Sequence, residues 1–515
     1  MKGIFKMMKV MVLALTFAVV LPSLGAAKPA PDWTVVYGRL EGCERRAIEL
    51  LTSELGDLLL REPGRYCTHV LPCRSAAERI SPKGNVFLVG TPQSNPVLAG
   101  YLKPGDLPEG GYLVRYVAEA ERDVIVMAGS TPAAAIWAVS DFCQDGVTAL
   151  RPERGNGISY ARDVFANPDT FASERRLYEH SNGALSYESR RVPQTRIRSL
   201  FTWAHPIDDY REFLRNMARL KLNRVYLWND YPPLNADEVV EWAHSWGIEV
   251  FWGFPWGWDN GNVLRKNAKS DQLAMRDSIL AAWRKTWRDL PGDGIYFQTY
   301  TETAPDGVGD ESIAAKAVKL VNAVAAQMFA EKPSQRIVFG LHATSMRGEM
   351  KTIAKTDPRL KILWEDPPQF PYSINFPASM MDEKKDFALV DEIVTDRSRP
   401  VGIVWKSQLL QDWSYWRHQE GPYLLGVTSR RTYESDRIIH DQLWKNYTAN
   451  WITKAPIAYR EAKRAHTAGP HVELNSAVQF NGPIRFPTAL MAELFFSTEE
   501  PLEKIMKRVL SRTRQ

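Results

Sequence analysis

From residue 195 to 455 the chain repeats one pattern: a short apolar run, a loop, then a longer segment with apolar residues at helical spacing. The short runs predict strands over 196–201, 224–228, 249–252, 294–299, 336–341, 361–364, 402–405 and 423–427. The longer segments predict helices over 208–221, 236–246, 271–289, 311–330, 346–354, 383–393, 408–416 and 436–451, because their apolar residues recur at three- and four-residue intervals. Apolar strands alternating with amphipathic helices require a parallel sheet covered by those helices, and eight such units are what a closed (β/α)8 TIM barrel demands. The competing fold is a doubly wound open sheet. No strand is followed by its glycine fingerprint, since Gly307-Val308-Gly309 lacks the third glycine.

Residues 27–153 carry the same alternation on a smaller scale. Strands are expected over 33–37, 85–89, 112–117 and 123–127, and helices over 43–60 and 131–142. The fold class is therefore α/β, a TIM barrel preceded by a small α/β domain. A polar connector rich in Arg and Ser covers 154–194, and 456–515 holds two further helical stretches, 487–495 and 501–512, expected to pack outside the barrel.

Residues 1–26 begin with Lys2, Lys6 and Lys9, pass through an apolar run over 10–21, and end in Gly25 and Ala26. That is the order of a secretory signal peptide. The apolar run is shorter than the ~20 residues a spanning helix needs, and no later run of that kind is read, so the mature chain is expected to be secreted or periplasmic and free of the membrane. Export permits oxidation of Cys43, Cys67, Cys73 and Cys143, as structural disulfides or else as inert thiols. Their spacing resembles no zinc site and no His cluster completes one, so no metal and no cofactor is expected. Lys and Arg total 65 against 60 Asp and Glu, and three of those cations belong to the signal peptide. Such a balance is too even for a nucleic-acid partner.

Barrel chemistry sits at the carboxyl ends of the strands. The first strand carries Arg198 and leads to Trp203; the second ends Trp228-Asn229; the third runs through Trp252, Trp256 and Trp258. Glu302 follows the fourth strand, His342 ends the fifth, Trp364-Glu365-Asp366 ends the sixth, and Trp405-Lys406 ends the seventh. Each indole alone fits core filling. Collected at one rim, from a chain with 17 Trp, they suit the apolar C–H faces of sugar rings, while carboxylates, amides and Arg suit the hydroxyls. An oligosaccharide or polysaccharide fragment is the expected partner. Hydrolysis of a glycosidic bond needs two carboxyl groups, one protonated and one ionised. Glu302 is the expected acid and Glu365 or Asp366 its partner, on strands two positions apart along one wall.

The small domain, with Val86-Phe87-Leu88-Val89-Gly90-Thr91-Pro92, Gly111-Tyr112 and Val124-Ile125-Val126-Met127-Ala128-Gly129, resembles the N-terminal domain of α-glucuronidases and β-hexosaminidases. Ile362-Leu363-Trp364-Glu365-Asp366 and the strand leading to Glu302 resemble α-glucuronidase-type glycoside hydrolases. This resemblance implies an inverting hydrolase with Glu302 as general acid and Glu365 or Asp366 later in the barrel. It also implies that Arg198 grips sugar hydroxyls or a uronate carboxylate, as a guanidinium can do bidentately. Three departures stand out. Thr301-Glu302 replaces the Asp-Glu dyad of β-hexosaminidases, Trp405-Lys406 brings no carboxylate to the seventh strand, and the C-terminal region is shorter than in α-glucuronidases. The last two keep open a non-catalytic carbohydrate-binding barrel; the remaining alternative, a retaining N-acetylhexosaminidase, needs an acidic partner beside Glu302, and none is adjacent. The sequence does not indicate an oligomeric state.

Overall fold

The computed structural model describes residues 33–60, 73–78, 84–146, 179–181, 184–202, 207–228, 231–258, 264–302, 311–342, 346, 348–365, 383–395, 399–408, 423–426, 430–478 and 482–513. The expected signal peptide lies outside them, as does the helix expected over 408–416 for all but its first residue.

The first domain contains β1 (Trp33–Tyr37), α1 (Gly42–Leu60), β2 (Cys73–Ser75), β3 (Asn85–Gly90), β4 (Tyr112–Ala118), β5 (Asp123–Gly129), α2 (Pro132–Asp141), β6 (Glu179–Ser181) and β7 (Ala184–Arg191). They form one sheet in the order β2-β1-β3-β5-β4-β7-β6. β1, β2, β3 and β5 run parallel, whereas β4 runs antiparallel to β5 and β7. The supposed connector thus contributes β7, paired with β4 from Tyr112↔Arg191 to Tyr116↔Tyr187. Its polar composition, which suggested a linker, belongs to a strand near the sheet's edge. Helix α2 starts where Thr131 accepts a hydrogen bond from the Ala134 amide and Pro132 occupies the first turn. Cys43 and Cys143 carry free thiols, and burial pushes the Cys43 thiol up to about 11.

The barrel strands are β8 (Ile197–Phe201), β9 (Arg224–Trp228), β10 (Glu249–Gly253), β11 (Gly294–Gln298), β12 (Ile337–His342), β13 (Lys361–Glu365), β14 (Val401–Gln408) and β15 (Glu473–Val478). Every neighbouring pair is parallel, and β15 closes the barrel against β8. The helices are α3 (Tyr210–Arg219), α4 (Ala236–Ser245), α5 (Leu264–Lys269), α6 (Gln272–Ala282), α7 (Ile313–Glu331), α8 (Met350–Ile353), α9 (Glu383–Thr395) and α10 (Arg430–His466). Asp209, Asp271 and Ser312 cap α3, α6 and α7 by accepting hydrogen bonds from amides of the first turn. Helix α7 is long and apolar enough to span a membrane by length and composition, contrary to the expectation that no such run follows residue 21. Its Ala317, Val321, Val324 and Met328 are buried in the core around the barrel.

One strand differs from expectation. Residues 423–426 form a turn region held by the Leu234 amide donating to the Tyr423 carbonyl at 2.8 Å. The eighth strand is β15, so the barrel extends to Val478 rather than ending at 455. Its inward-facing residues include Glu473 and Asn475, which interrupt the apolar run by which the other strands are recognised. After it come α11 (Phe486–Phe496) and α12 (Leu502–Thr513), as expected for the tail.

Alternation along the strands fills the barrel with Phe201, Tyr226, Trp228, Phe251, Tyr296, Val338, Leu363, Val404 and Ala477. Below this plug the Glu473 carboxylate accepts from Ser199 Oγ at 2.5 Å and Arg224 Nη1 at 2.7 Å, and pairs with Lys361 Nζ at 2.5 Å. Burial acts to raise the Glu473 carboxyl, but Lys361 and Arg224 overcome it and hold the group down at about 2. A second buried ionic cluster joins the domain, barrel and tail. Glu493 of α11 meets Arg191 at 2.8 Å, Lys221 at 2.9 Å, Arg508 at 2.9 Å and Arg512 at 3.0 Å. Asp141 of α2 pairs there with Lys221 at 2.8 Å. Lys221 reaches the cluster from a left-handed backbone (φ 63°) just past α3. Beside it lies a cavity of about 220 Å³ lined by Arg215, Arg219, Lys221, Glu493 and Arg512.

Candidate active site

Residues 228, 298, 342 and 365 all face inward at the carboxyl ends of their strands, because each shares the parity of an interior residue two or four positions earlier. Trp228 is almost fully buried and forms the floor: its ring lies 5.6 Å from Trp258 and 5.7 Å from Tyr296, edge-on to both. Gly253 leaves room for it, since a Cβ there would lie 2.7 Å from Trp228 Cε3. The segment after β10 docks on β11 through the Phe254 and Trp256 amides, which donate to the Tyr296 and Gln298 carbonyls at 3.0 and 2.9 Å. This places Trp258 at the mouth. Its indole Nε1 donates to Glu302 Oε2 at 2.9 Å.

Glu302 stands four residues beyond β11 with 37% of its side chain exposed. His342 Nε2 lies 3.3 Å from Glu302 Oε1 and 3.8 Å from Glu365 Oε2. Those contacts keep the nearest oxygens of the two carboxyl groups no more than about 7 Å apart, below the ~9.5 Å upper limit for pairs acting across one glycosidic bond. Glu365 is nearly fully buried. Its Oε1 accepts from the Tyr296 hydroxyl and from Gln298 Nε2. Burial, followed by the charge of Glu365, pushes the Tyr296 phenol well above its ordinary range, so it remains a donor. Two acids distant in sequence are thus joined through one imidazole.

The other expected binding residues divide sharply. Arg198 faces outward from β8, fully buried, with Nε donating to the Lys221 carbonyl at 2.8 Å and Nη1 to Thr195 O at 2.6 Å. Its guanidinium lies over the Trp137 and Phe496 rings at 4.8 and 5.3 Å. It ties the first domain to the tail and does not reach the mouth, because residue 198 has the wrong parity on its strand. The same parity removes Trp252, Trp364 and Trp405 from the rim. Trp252 donates to the Pro291 carbonyl at 2.6 Å, Trp364 is buried in the outer core, and Trp405 packs 4.9 Å from Phe495 and 6.3 Å from Trp451. Trp256 is fully buried, stacked on Phe297 at 3.6 Å. The wall of indoles is therefore a correction: among the described residues, Trp258 is at the mouth and Trp228 lies beneath it. Trp203, Asn229 and Asp366 lie outside the described residues, as does the side chain of Lys406.

Tyr296, Gln298 and Gly340 were not singled out from sequence. Gln298 was the visible signal, a polar residue ending an otherwise apolar strand. Among the described residues no group of three His, Cys, Asp or Glu side chains could hold a metal ion.

No protein-family model and no curated protein matches the chain. Among solved structures it is similar to a family 89 glycoside hydrolase from Clostridium perfringens in complex with GlcNAc-α-1,4-galactose, at 9% identity and a TM-score of 0.44, over 91% of this chain and 50% of that one. It is also similar to a family 138 glycoside hydrolase targeting pectin rhamnogalacturonan II, at 11% identity and a TM-score of 0.41, over 73% and 53% of the two chains. A third is the catalytic domain of the major endoglucanase of Xanthomonas campestris pv. campestris, at 11% identity and a TM-score of 0.36, over 59% and 94%. The chain spans about half the length of the first two.

Proposed function

We propose that this protein is an exported glycoside hydrolase acting on oligosaccharide or polysaccharide fragments at the mouth of its barrel. The observation that carries the reading is the Glu302–His342–Glu365 constellation, with one carboxyl group open to solvent and a second held at the strand ends. In the proposed reaction Glu302 passes its proton to the glycosidic oxygen as the bond to the anomeric carbon breaks. A water oxygen bonds to that carbon and the water's proton goes to the partner carboxylate, Glu365 or Asp366, with inversion. Trp258 offers an apolar ring beside the acid for a sugar face. Release of a uronic acid remains part of the proposal, but its expected Arg198 grip is buried elsewhere, so the uronate carboxylate needs another cation.

The test pairs product analysis with calorimetry on the same oligosaccharide panel. Sugar release by the parent protein, abolished in Glu302→Gln with binding retained, supports hydrolysis. Tight binding without product from any substrate would instead favour a carbohydrate-binding barrel. Inhibition by a thiazoline-type analogue would favour an N-acetylhexosaminidase.

A further inference from the structure

We propose that Tyr296, Gln298 and Gly340 form a positioning device that holds Glu365 ionised, one oxygen committed to the barrel interior and the other turned toward His342. Glu365 is then the proton-accepting member of the pair and Glu302 the proton-donating one. This inference rests on the hydrolase reading above and adds the residues that hold Glu365 in its accepting state.

The device follows from strand parity. Tyr296 and Gln298 sit two residues apart on β11, so both point inward, and both donate to the same oxygen of Glu365. Burial disfavours a charged Glu365, and two donors on one carboxylate oxygen act against it in favour of the charged form. Neither can withdraw easily. The Tyr296 ring is packed against Phe201, Tyr226 and Trp228 at 4.7, 5.5 and 5.7 Å, so its hydroxyl has one place to go. That place exists because β12 carries glycine beside it. A Cβ at Gly340 would lie 1.7 Å from the Tyr296 hydroxyl and 2.2 Å from Cζ, so any side chain there would displace the ring. Gly340 pairs in register with Gln298, bringing the gap and the second donor to one level.

Glu302 is placed differently. It stands outside the strand ends, partly exposed, and takes one indole N–H where Glu365 takes two donors on a single oxygen. Among the described residues, the titratable or polar groups facing Glu365 are Tyr296 and Gln298 from β11 and His342 from β12; Glu302 is linked to it through His342. Tyr296 remains neutral, for the reasons given above.

The experiment compares the parent protein with Tyr296→Phe and Gln298→Leu, using two readouts. The first is the pH profile of kcat/KM. Losing a donor to the ionised carboxylate should move the acidic limb upward by about one pH unit and lower kcat by about tenfold, with KM little changed. The second needs no substrate. In protein labelled at the histidine ring, the chemical shift of His342 reports titration of the adjacent Glu365, and this acid-side inflection should rise by the same amount. Gln298→Leu leaves the aromatic packing of Tyr296 in place, so it carries the test if Tyr296→Phe does not fold. An inflection that stays put or falls in the variants overturns the device, whatever the turnover. A raised inflection in a protein that releases no sugar leaves the device standing and refutes the hydrolase reading instead.

Discussion

Glu493→Gln should be among the most destabilising single substitutions available outside the site. The side chain is 5% exposed and is approached by Arg191, Lys221, Arg508 and Arg512 at 2.8–3.0 Å. These cations hold its carboxyl well below the ordinary range despite burial, which acts in the opposite direction. Glutamine keeps the shape and removes the charge, leaving Asp141 to balance Arg191, Lys221 and Arg512. Removing one partner from a buried ionic cluster costs about 3–5 kcal/mol, because the remaining charges are desolvated without compensation. At roughly 2 °C per kcal/mol for a large domain, the melting midpoint should fall by about 6–10 °C. The assay is a thermal melt at neutral pH, with Glu503→Gln on the exposed side of α12 as the control. Because Glu493 joins β7, the end of α3 and α12, loss of the tail's docking should accompany the drop and be visible as earlier proteolysis within 502–513. A variant melting within about 1 °C of the parent would refute the reasoning that this cluster holds the three parts together.

Acid should weaken the fold in two steps. Burial depresses His466 from 6.5 to about 4, so the unfolded chain takes up that proton first and stability falls by about 3 kcal/mol between those pH values. Glu473, held at about 2 against an ordinary 4.5, contributes stability that is present above 4.5 and lost below it. Denaturant midpoints measured from pH 7 to 3 should decline throughout, and a midpoint that rises on acidification would contradict both assignments. Trp258→Phe keeps a ring against Trp228 but removes the N–H on Glu302, so kcat/KM should fall about tenfold with little change in melting temperature; a kcat/KM equal to the parent's would count against the contact. Arg198→Met should cost about 1–3 kcal/mol of stability by stranding the Lys221 and Thr195 carbonyls, and leave KM unaltered. A KM that rises for uronate substrates alone would restore Arg198 to the site.

The barrel was legible because seven of its strands are short apolar runs punctuated by amphipathic helices, and helical and strand periodicities differ in kind. The eighth was not, because Glu473 and Asn475 place polar side chains inside the barrel, where the ionic layer of Arg224 and Lys361 neutralises the acid. The approach of Glu302 and Glu365 to a common histidine could be anticipated from their positions beyond the fourth strand and at the end of the sixth. The tryptophans misled for a definable reason. Counting indoles near strand ends ignores which face each residue takes, and Trp252, Trp364 and Trp405 all alternate outward. Tyr296 and Gly340 depend on a contact between neighbouring strands, which no spacing within either strand encodes.

The claim that matters most is that Glu302 gives its proton to a departing sugar oxygen, and leaving-group dependence tests it most directly. Rates would be measured for the parent protein and Glu302→Gln on a series of aryl glycosides with phenols of decreasing acidity. The account predicts that the substitution is tolerated for the most acidic phenols, which depart without a proton, and is progressively more damaging as the phenol becomes a poorer leaving group. An equal loss across the whole series, or none, would contradict it.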